Sequence, residues 1–184
     1  TAQCFRPRVH ASIITMGQLP VCTYTNDVMP NLIMFWGHNP LTSGPDGELG
    51  FGVRQALEAN PKTIVIDPRK TLLAKRADIW LQLRPGTDDA LAMAMLHVII
   101  NEGLEDKEFV AKWTYGYQKL ANRVDDYTPE WASPITWVPA EKIRAAARLY
   151  ASIKPSMLEW GCAMEHTPNC LQTIRALLCL PSIT

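Results

Sequence analysis

Side chains that suit ligand binding follow three apolar segments of this 184-residue chain. Gly37 and Asn39 come after the first segment; glycine lets a ligand approach the backbone closely, and the asparagine amide donates hydrogen bonds. Asp67 comes after the second segment, with two cations behind it, and Asp88 opens a predicted helix after the third. Unpaired backbone N–H groups at such a helix start attract anions. Together these residues predict a nucleotide or pyrophosphate site.

Each of these signals also has a plain structural explanation. Gly37 and Gly86 could equally be simple turn formers, and Asp67-Pro68 could be a strand terminator followed by a solvated basic loop. The sequence has neither G-x-G-x-x-G nor a Walker A loop, so it lacks the usual signature of a dinucleotide or ATP site. Asp67 nevertheless lies about 30 residues after Gly37, close to the position of the ribose-binding acid in Rossmann-type domains.

Alternating strands and helices position these residues. Apolar runs bounded by turn residues predict strands at 31–36, 63–66, 79–83 and 156–160. Amphipathic stretches predict helices at 48–60, 88–101, 106–114, 117–127, 139–153 and 169–180, with a loop-rich connector at 127–139. Thr87 is a suitable N-cap, and Gly103 a suitable stop, for the helix that begins at Asp88.

This alternation predicts an α/β fold. We expect a three-layer, Rossmann-like domain with a mostly parallel sheet, covered on both faces and accompanied by peripheral helices. Ligands of such sheets bind beyond the carboxyl ends of the strands, which is where the polar residues and glycines lie.

Composition excludes several classes of protein. Lys and Arg total 18 and Asp and Glu total 18, so the chain has no net charge and is not expected to bind nucleic acid. No apolar run approaches the ~18 residues of a membrane span, so we expect no membrane insertion. The five cysteines form no C-x-x-C pair, which argues against a zinc or iron–sulfur site within this chain.

Short motifs occur in a characteristic order along the chain. They are Trp36-Gly-His-Asn-Pro40, Ile66-Asp-Pro-Arg-Lys-Thr71, Ala77-Asp-Ile-Trp80, Leu83-Arg-Pro-Gly-Thr-Asp-Asp-Ala-Leu91, His97-Val-Ile-Ile100, Asp106-Lys-Glu-Phe-Val110, Tyr127-Thr-Pro-Glu130 and Ile135-Thr-Trp-Val138. As an ordered set they resemble the molybdopterin oxidoreductases, the family of formate dehydrogenase and dimethyl sulfoxide reductase. The resemblance covers nearly the whole chain and implies a central part of a catalytic subunit.

The resemblance implies a cofactor and the residues that contact it. The cofactor is molybdenum or tungsten held by the dithiolenes of a bis(molybdopterin guanine dinucleotide). Residues 36–43 would surround a pyrophosphate, Asp67 would accept hydrogen bonds from ribose hydroxyls, and Asp88 would accept from both N1–H and N2–H of guanine. The implied cofactor contacts in these segments are Trp36, Gly37, His38, Asn39, Pro40, Asp67, Pro68, Arg69, Lys70, Thr71, Gly86, Thr87 and Asp88.

A loop near the chain's end adds further implied contacts. Trp160-Gly-Cys-Ala-Met-Glu-His166 is similar to the family's loop beside the pterin, so Gly161, Cys162 and His166 are implied contacts of the pterin or of the substrate pocket. The family often has G-x-G here, whereas this chain has Ala163 at the second glycine position. The resemblance therefore does not imply that the pterin approaches the backbone closely at Ala163.

Cys4 is the implied metal ligand and catalytic residue. Cys4, Pro7 and Gly17 keep the spacing of the formate dehydrogenase branch around its metal-binding residue. A soft thiolate suits a dithiolene-bound metal, although a solvated thiol near the chain's start is the alternative. Phe5 stands where formate dehydrogenases often have a His, so hydratase and thiosulfate or polysulfide reductase activities remain open beside formate oxidation.

The resemblance also implies an organisation. Residues 1–30 would carry the metal ligand, and residues 31–184 would form the Rossmann-like, guanine-dinucleotide-binding domain. A lobe with an iron–sulfur cluster would precede this piece of a longer chain, which we expect to be inactive by itself. Implied partners are a small-molecule substrate and an electron-transfer subunit, in the cytoplasm or the periplasm; exposed sheet edges could also pair copies of the piece into a homo-oligomer. The alternatives are a non-catalytic α/β module that binds a nucleotide or a partner, and a structural relict.

Overall fold

Four parallel strands form the sheet at the centre of the computed structural model, which describes residues 5–20, 28–43 and 47–184. The strands are β1 (Leu32–Trp36), β2 (Lys62–Ile66), β3 (Ile79–Leu81) and β4 (Ser156–Trp160). The four predicted strands and the predicted α/β fold are confirmed; the third strand ends two residues earlier than predicted.

The order of the strands creates a switch point beside β1. Neighbouring strands follow the order β3-β2-β1-β4, so the chain builds one side of the sheet and later adds β4 on the other side of β1. Trp36 lies level with Ile66 on one side and with Trp160 on the other. The carboxyl ends of these three strands therefore meet at one edge, where open α/β sheets bind their ligands.

Helices cover both faces of the sheet. In chain order they are α1 (Arg6–Met16), α2 (Pro40–Ser43), α3 (Gly47–Glu58), α4 (Leu72–Arg76), α5 (Asp88–Asn101), α6 (Lys107–Trp113), α7 (Tyr117–Val124), α8 (Pro129–Thr136), α9 (Ala140–Ser152) and α10 (Cys170–Ile183), with a 3₁₀ turn at Cys162–Glu165 before α10. The six predicted helices are all present, with ends that differ by three residues at most.

Successive side chains of β1 point to opposite faces of the sheet, so the core has two layers. Ile33 and Phe35 pack with residues of α3 and α4, whereas Met34 and Trp36 pack with α5, α9 and α10. All five residues of β1 are fully buried, which explains why this strand is apolar throughout. Helix α1 joins the second layer, because Ala11 belongs to the same buried cluster as the core residues of α10. In the described ranges, no helix has the length and apolar character to cross a bilayer.

One local prediction was wrong, and a second was correct in position only. The connector at 127–139 contains helix α8, because the Thr128 hydroxyl caps it by accepting a hydrogen bond from Trp131 N at 3.1 Å, and Pro129 occupies its first turn. Thr87 stands at the N-cap position of α5, but its side chain caps nothing. Its hydroxyl donates instead to the carbonyl oxygen of Arg84, at 2.7 Å, and so tightens the turn before the helix.

Candidate functional site

Two glycines bring the ends of β1 and β4 into contact. Gly161 N donates to Trp36 O at 3.0 Å, and Gly37 N donates to Ile66 O at 2.8 Å. A Cβ on Gly161 would lie 2.2 Å from the carbonyl oxygen of Gly37, and a Cβ on Gly37, at φ +56°, would lie 3.0 Å from the Met164 methyl carbon. Side chains are therefore excluded from both positions, and the backbone itself forms the surface at the switch point.

The segment after Gly37 presents polar groups at this edge. His38 Nδ1 lies 2.6 Å from Glu159 Oε1, so the imidazole is held against β4. Asn39 is nine-tenths buried, and its side-chain Oδ1 has no hydrogen-bond partner among the described residues. Pro40 is buried and begins α2. An inaccessible acceptor without a donor is costly, and a ligand hydroxyl or amine at this edge would satisfy it.

Asp67 is fixed at the end of β2. The carboxylate is buried and accepts a hydrogen bond from Arg69 N at 2.8 Å, while Trp80 Nε1 donates to the Asp67 carbonyl oxygen at 2.9 Å. The Arg69 side chain is 74% exposed, and its Nε lies 3.5 Å from Asp67 Oδ1. Lys70 lies over the Trp80 ring, and Thr71 caps α4 by accepting from Ala74 N, so the Thr71 hydroxyl has a structural partner.

Asp88 lies at the start of α5 against the first strand. Trp36 Nε1 donates to Asp88 Oδ1 at 2.8 Å, and both residues are buried. Gly86, at φ +82°, makes the preceding turn, and a Cβ there would meet nothing within 4 Å. Burial raises the pKa of Asp88, as does the charge of Asp89, while the indole N–H and nearby backbone amides act in the opposite direction.

Replacing Asp88 with asparagine is expected to leave the chain at least as stable at pH 7. Because the pKa of Asp88 is raised in the folded state, the folded chain binds the proton more tightly, and stability falls as the pH rises above 3.8 through the folded pKa. An asparagine at this position cannot ionise, and its side-chain carbonyl oxygen still accepts from the Trp36 indole. Urea unfolding of both forms between pH 4 and pH 8 measures this, with the difference shrinking toward the acid end.

Asp78→Asn is a control for which we expect the opposite effect on stability. Although partial burial acts against it, the pKa of Asp78 is lowered by the Lys62 ammonium at 2.6 Å and by Thr63 N. Its ionised form therefore stabilises the fold above pH 3.8, and this stability disappears as the pH falls through the lowered pKa. If Asp88→Asn lost stability at pH 7 as Asp78→Asn does, the burial argument for Asp88 would be wrong.

The loop after β4 contains a buried carboxylate that the sequence analysis missed. Cys162 in the 3₁₀ turn and His166 directly after it are both exposed, whereas the Glu165 side chain between them is 1% exposed. Arg8 Nε donates to Glu165 Oε1 at 2.9 Å, and Phe5 N donates to Glu165 Oε2. Arg8 lies 157 positions from Glu165, so no local pattern could have paired them.

The predicted metal ligand, Cys4, lies outside the described residues. Within the described ranges, no group of three or more His, Cys, Asp or Glu side chains is placed to hold a metal ion. Cys162, Cys170 and Cys179 form no disulfide. Helix α1 begins at Arg6, two residues after Cys4, and packs against α10.

A separate cavity of about 590 Å³ lies between helices α5, α7, α8 and α10. Arg123 and Arg175 contribute cations to its wall, and Tyr127 and Trp131 contribute aromatic rings that meet edge to face at 4.7 Å. None of the predicted cofactor contacts lines this cavity. The helical layer thus has a concave surface distinct from the strand ends.

Comparisons with known proteins show which proteins this chain is similar to. The molybdopterin oxidoreductase family model matches residues 23–184. Acetylene hydratase of Syntrophotalea acetylenica is 43% identical over 131 residues, or 71% of this chain and 18% of that protein. Formate dehydrogenase H of Escherichia coli is 40% identical over 154 residues, or 84% of this chain and 21% of that protein.

The fold itself matches a solved structure. Acetylene hydratase from Pelobacter acetylenicus superposes with a TM-score of 0.90 and 34% sequence identity over 99% of this chain, which is 24% of that chain. The chain thus spans about a fifth to a quarter of its relatives' length. With the family model covering nearly all of it and the glycine-lined strand ends in the matching fold, this chain belongs to the molybdopterin oxidoreductase family.

Proposed function

We propose that this chain is part of the catalytic subunit of a molybdenum or tungsten enzyme, and that its strand ends bind one guanine dinucleotide arm of a bis(molybdopterin guanine dinucleotide) cofactor. The observation that carries the proposal is the contact of Gly37 with Gly161. It leaves bare backbone at the switch point of the sheet, where a phosphate-bearing ligand needs close access.

The residues around this contact fit such a ligand. The buried Oδ1 of Asn39 lacks a donor among the described residues, and two buried carboxylates, Asp67 and Asp88, stand at the same edge. Asp67 would accept hydrogen bonds from ribose hydroxyls, and the exposed Arg69 guanidinium, whose Nε lies 3.5 Å from Asp67 Oδ1, would bind a phosphate. Asp88 would accept from the guanine edge, which has adjacent N–H donors that adenine lacks. Its carboxylate is already oriented by Trp36.

The metal would supply the reactive centre for redox or hydration of a small substrate. Cys4 would provide a thiolate ligand to it, as a soft donor suited to a dithiolene-bound metal. Relatives named as a hydratase and as dehydrogenases are both similar to this chain, so the reaction class follows from residues around the metal rather than from this fold. An electron-transfer subunit, and an iron–sulfur cluster in another part of the full-length protein, complete the proposal for a redox enzyme.

Elemental and nucleotide analysis of the full-length enzyme tests this function. We expect molybdenum or tungsten together with GMP released by acid from protein purified without oxygen. Asp67→Asn should weaken retention of the nucleotide by about 10-fold, since a hydrogen bond to a charged group is lost. Asp78→Asn is the matched control, because this aspartate pairs with Lys62 at the opposite edge of the sheet.

Two results would count against the proposal. A folded full-length protein without metal and without GMP would exclude the enzyme and leave a nucleotide- or partner-binding module. Equal loss of GMP in Asp67→Asn and Asp78→Asn would mean that the strand ends are not the nucleotide site.

A further inference from the structure

The cavity between helices α5, α7, α8 and α10 combines a buried apolar floor with charged and aromatic walls. Its volume of about 590 Å³ lies within the ~300–1,000 Å³ range of small-molecule sites. Ala90 and Ala176 in its lining are buried, whereas Trp131 is 39% exposed, so the cavity extends from the surface to the core. The rings of Tyr127 and Trp131 give it the apolar surface that commonly holds an aromatic or hydrophobic group.

Arg175 of α10 brings an incompletely bonded guanidinium to this cavity. Its Nη1 donates to Gln172 Oε1 at 3.1 Å, but its Nε is shielded from solvent without an acceptor, and no described residue accepts from its Nη2. Nε and Nη2 form the edge with which an arginine binds both oxygens of a carboxylate. Arg148 uses this edge in the same chain, with Nε 2.7 Å from Glu102 Oε2 and Nη2 2.9 Å from Glu102 Oε1. Arg175 has the same pair of donors but no carboxylate.

The other charged groups leave the cavity with an excess of positive charge. Arg123 of α7 lies over the Tyr127 ring, 5.4 Å from its centroid. Neither Arg123 nor Arg175 forms an ion pair with a described residue. Asp89 is the only carboxylate among the described residues of the lining, and its Oδ2 accepts from Asn169 Nδ2 at 3.0 Å. Two unpaired cations in one cavity favour an anionic ligand.

We propose that this cavity binds a small aromatic carboxylate. The carboxylate pairs with the Nε–Nη2 edge of Arg175, and Arg123 adds a second positive charge. The aromatic body of the ligand packs against Tyr127, Trp131 and the apolar floor. A rotation of the Arg175 side chain turns both donors toward the ligand, since side chains commonly change rotamer on binding. The inference is independent of the cofactor, because none of the predicted cofactor contacts lines this cavity.

Binding of 1-naphthoate to the full-length enzyme tests this inference. Saturation-transfer NMR measures its affinity, and 1-naphthamide is an uncharged probe of nearly the same shape. We expect 1-naphthoate to bind with a Kd of about 1 mM or lower, as is usual for a ligand with one bicyclic ring system and one charge. It should bind at least about 10-fold more tightly than 1-naphthamide, because only the acid forms a charged pair with a guanidinium.

Three variants show whether the probe occupies this cavity. Arg175→Met keeps an extended side chain without the charge, and should weaken 1-naphthoate binding about 10-fold while leaving 1-naphthamide binding unchanged. Asp89→Asn removes the negative charge of the lining, and should strengthen 1-naphthoate binding about 2- to 3-fold. Arg148→Met is the matched control, because this arginine pairs with Glu102 and does not line the cavity. Both affinities should stay as in the wild type in this control.

Several results would overturn the inference. Equal affinities of the acid and the amide would mean that the arginines bind no anion. Absence of binding by either probe would mean that another part of the full-length protein fills the cavity. Unchanged 1-naphthoate binding in Arg175→Met would show that the probe binds elsewhere. Should Arg175→Met not fold, as judged by thermal unfolding, Arg123→Met decides in its place, since it should also weaken 1-naphthoate binding alone. No measurement in this test involves the metal or GMP, so its failure leaves the proposed function untouched.

Discussion

Replacing Cys4 with alanine in the full-length enzyme is expected to remove one sulfur neighbour from the metal and to slow turnover by more than about 100-fold. Losing a residue that only orients a metal ligand lowers metal affinity or activity by about 10- to 100-fold, and we expect the loss of a direct ligand to lower activity further. X-ray absorption of the metal counts its sulfur neighbours, and elemental analysis shows whether the cofactor stays bound. We expect the metal to remain, because in the proposed function the dithiolenes and the strand ends would also hold the cofactor.

Cys179→Ala is the matched control for this experiment. Burial raises the pKa of the Cys179 thiol, so this cysteine of α10 stays protonated at neutral pH and is a poor metal ligand. Its removal should leave both the sulfur count and the turnover close to wild-type values. An unchanged sulfur count in Cys4→Ala would show that Cys4 is a solvated thiol.

Replacing Gly161 with alanine is expected to destabilise the chain by about 3 kcal/mol, the upper end of the usual cost of overpacking. The added methyl would lie 2.2 Å from the Gly37 carbonyl oxygen, a backbone atom that cannot move without disturbing the β1–β4 pairing. Urea unfolding followed by tryptophan fluorescence measures the change. The same substitution in the full-length enzyme should also lower GMP retention, because the strand ends move apart.

Gly50→Ala controls for the general effect of adding a methyl group to a glycine. Gly50 lies inside α3, and its new Cβ would approach the flexible end of Arg54 most closely, at 3.3 Å. Alanine favours a helix over glycine by about 1 kcal/mol, so this variant should be as stable as the wild type or more so. Similar unfolding curves for Gly161→Ala and the wild type would contradict the close approach of the two strand ends.

Much of the fold could be predicted from local sequence. Apolar runs followed by turn residues located all four strands, and β1, which is buried on both faces, is apolar along its whole length. Helix α5 was predicted with the bounds that the structure shows, since a mainly apolar run ends at Ile100 and is followed by Gly103, which adopts φ +66° just after the helix. The ordered motifs identified the family, as the family model confirmed.

Local sequence patterns were misleading where the same residues are compatible with two different local structures. The prolines of segment 127–139 indicated a loop, yet Thr128 and Pro129 are also the residues that begin a helix, and packing against α5 selected that outcome. Thr87 is a residue type that often caps helices, but its hydroxyl donates a hydrogen bond to the carbonyl oxygen of Arg84. Competition of this kind is decided by geometry that neighbouring residues alone do not specify.

By itself, the sequence determined the strands, most of the helices, the family and the residues that stand at the strand ends. Only the tertiary structure decided that Trp36 orients Asp88, that Gly161 contacts Gly37, and that Glu165 holds Phe5 and Arg8. The physical reason is that helices and strands depend on patterns that repeat every two to four residues. Each of these contacts, in contrast, joins residues at least 52 positions apart. Such pairs meet only after the sheet has assembled and its helices have packed.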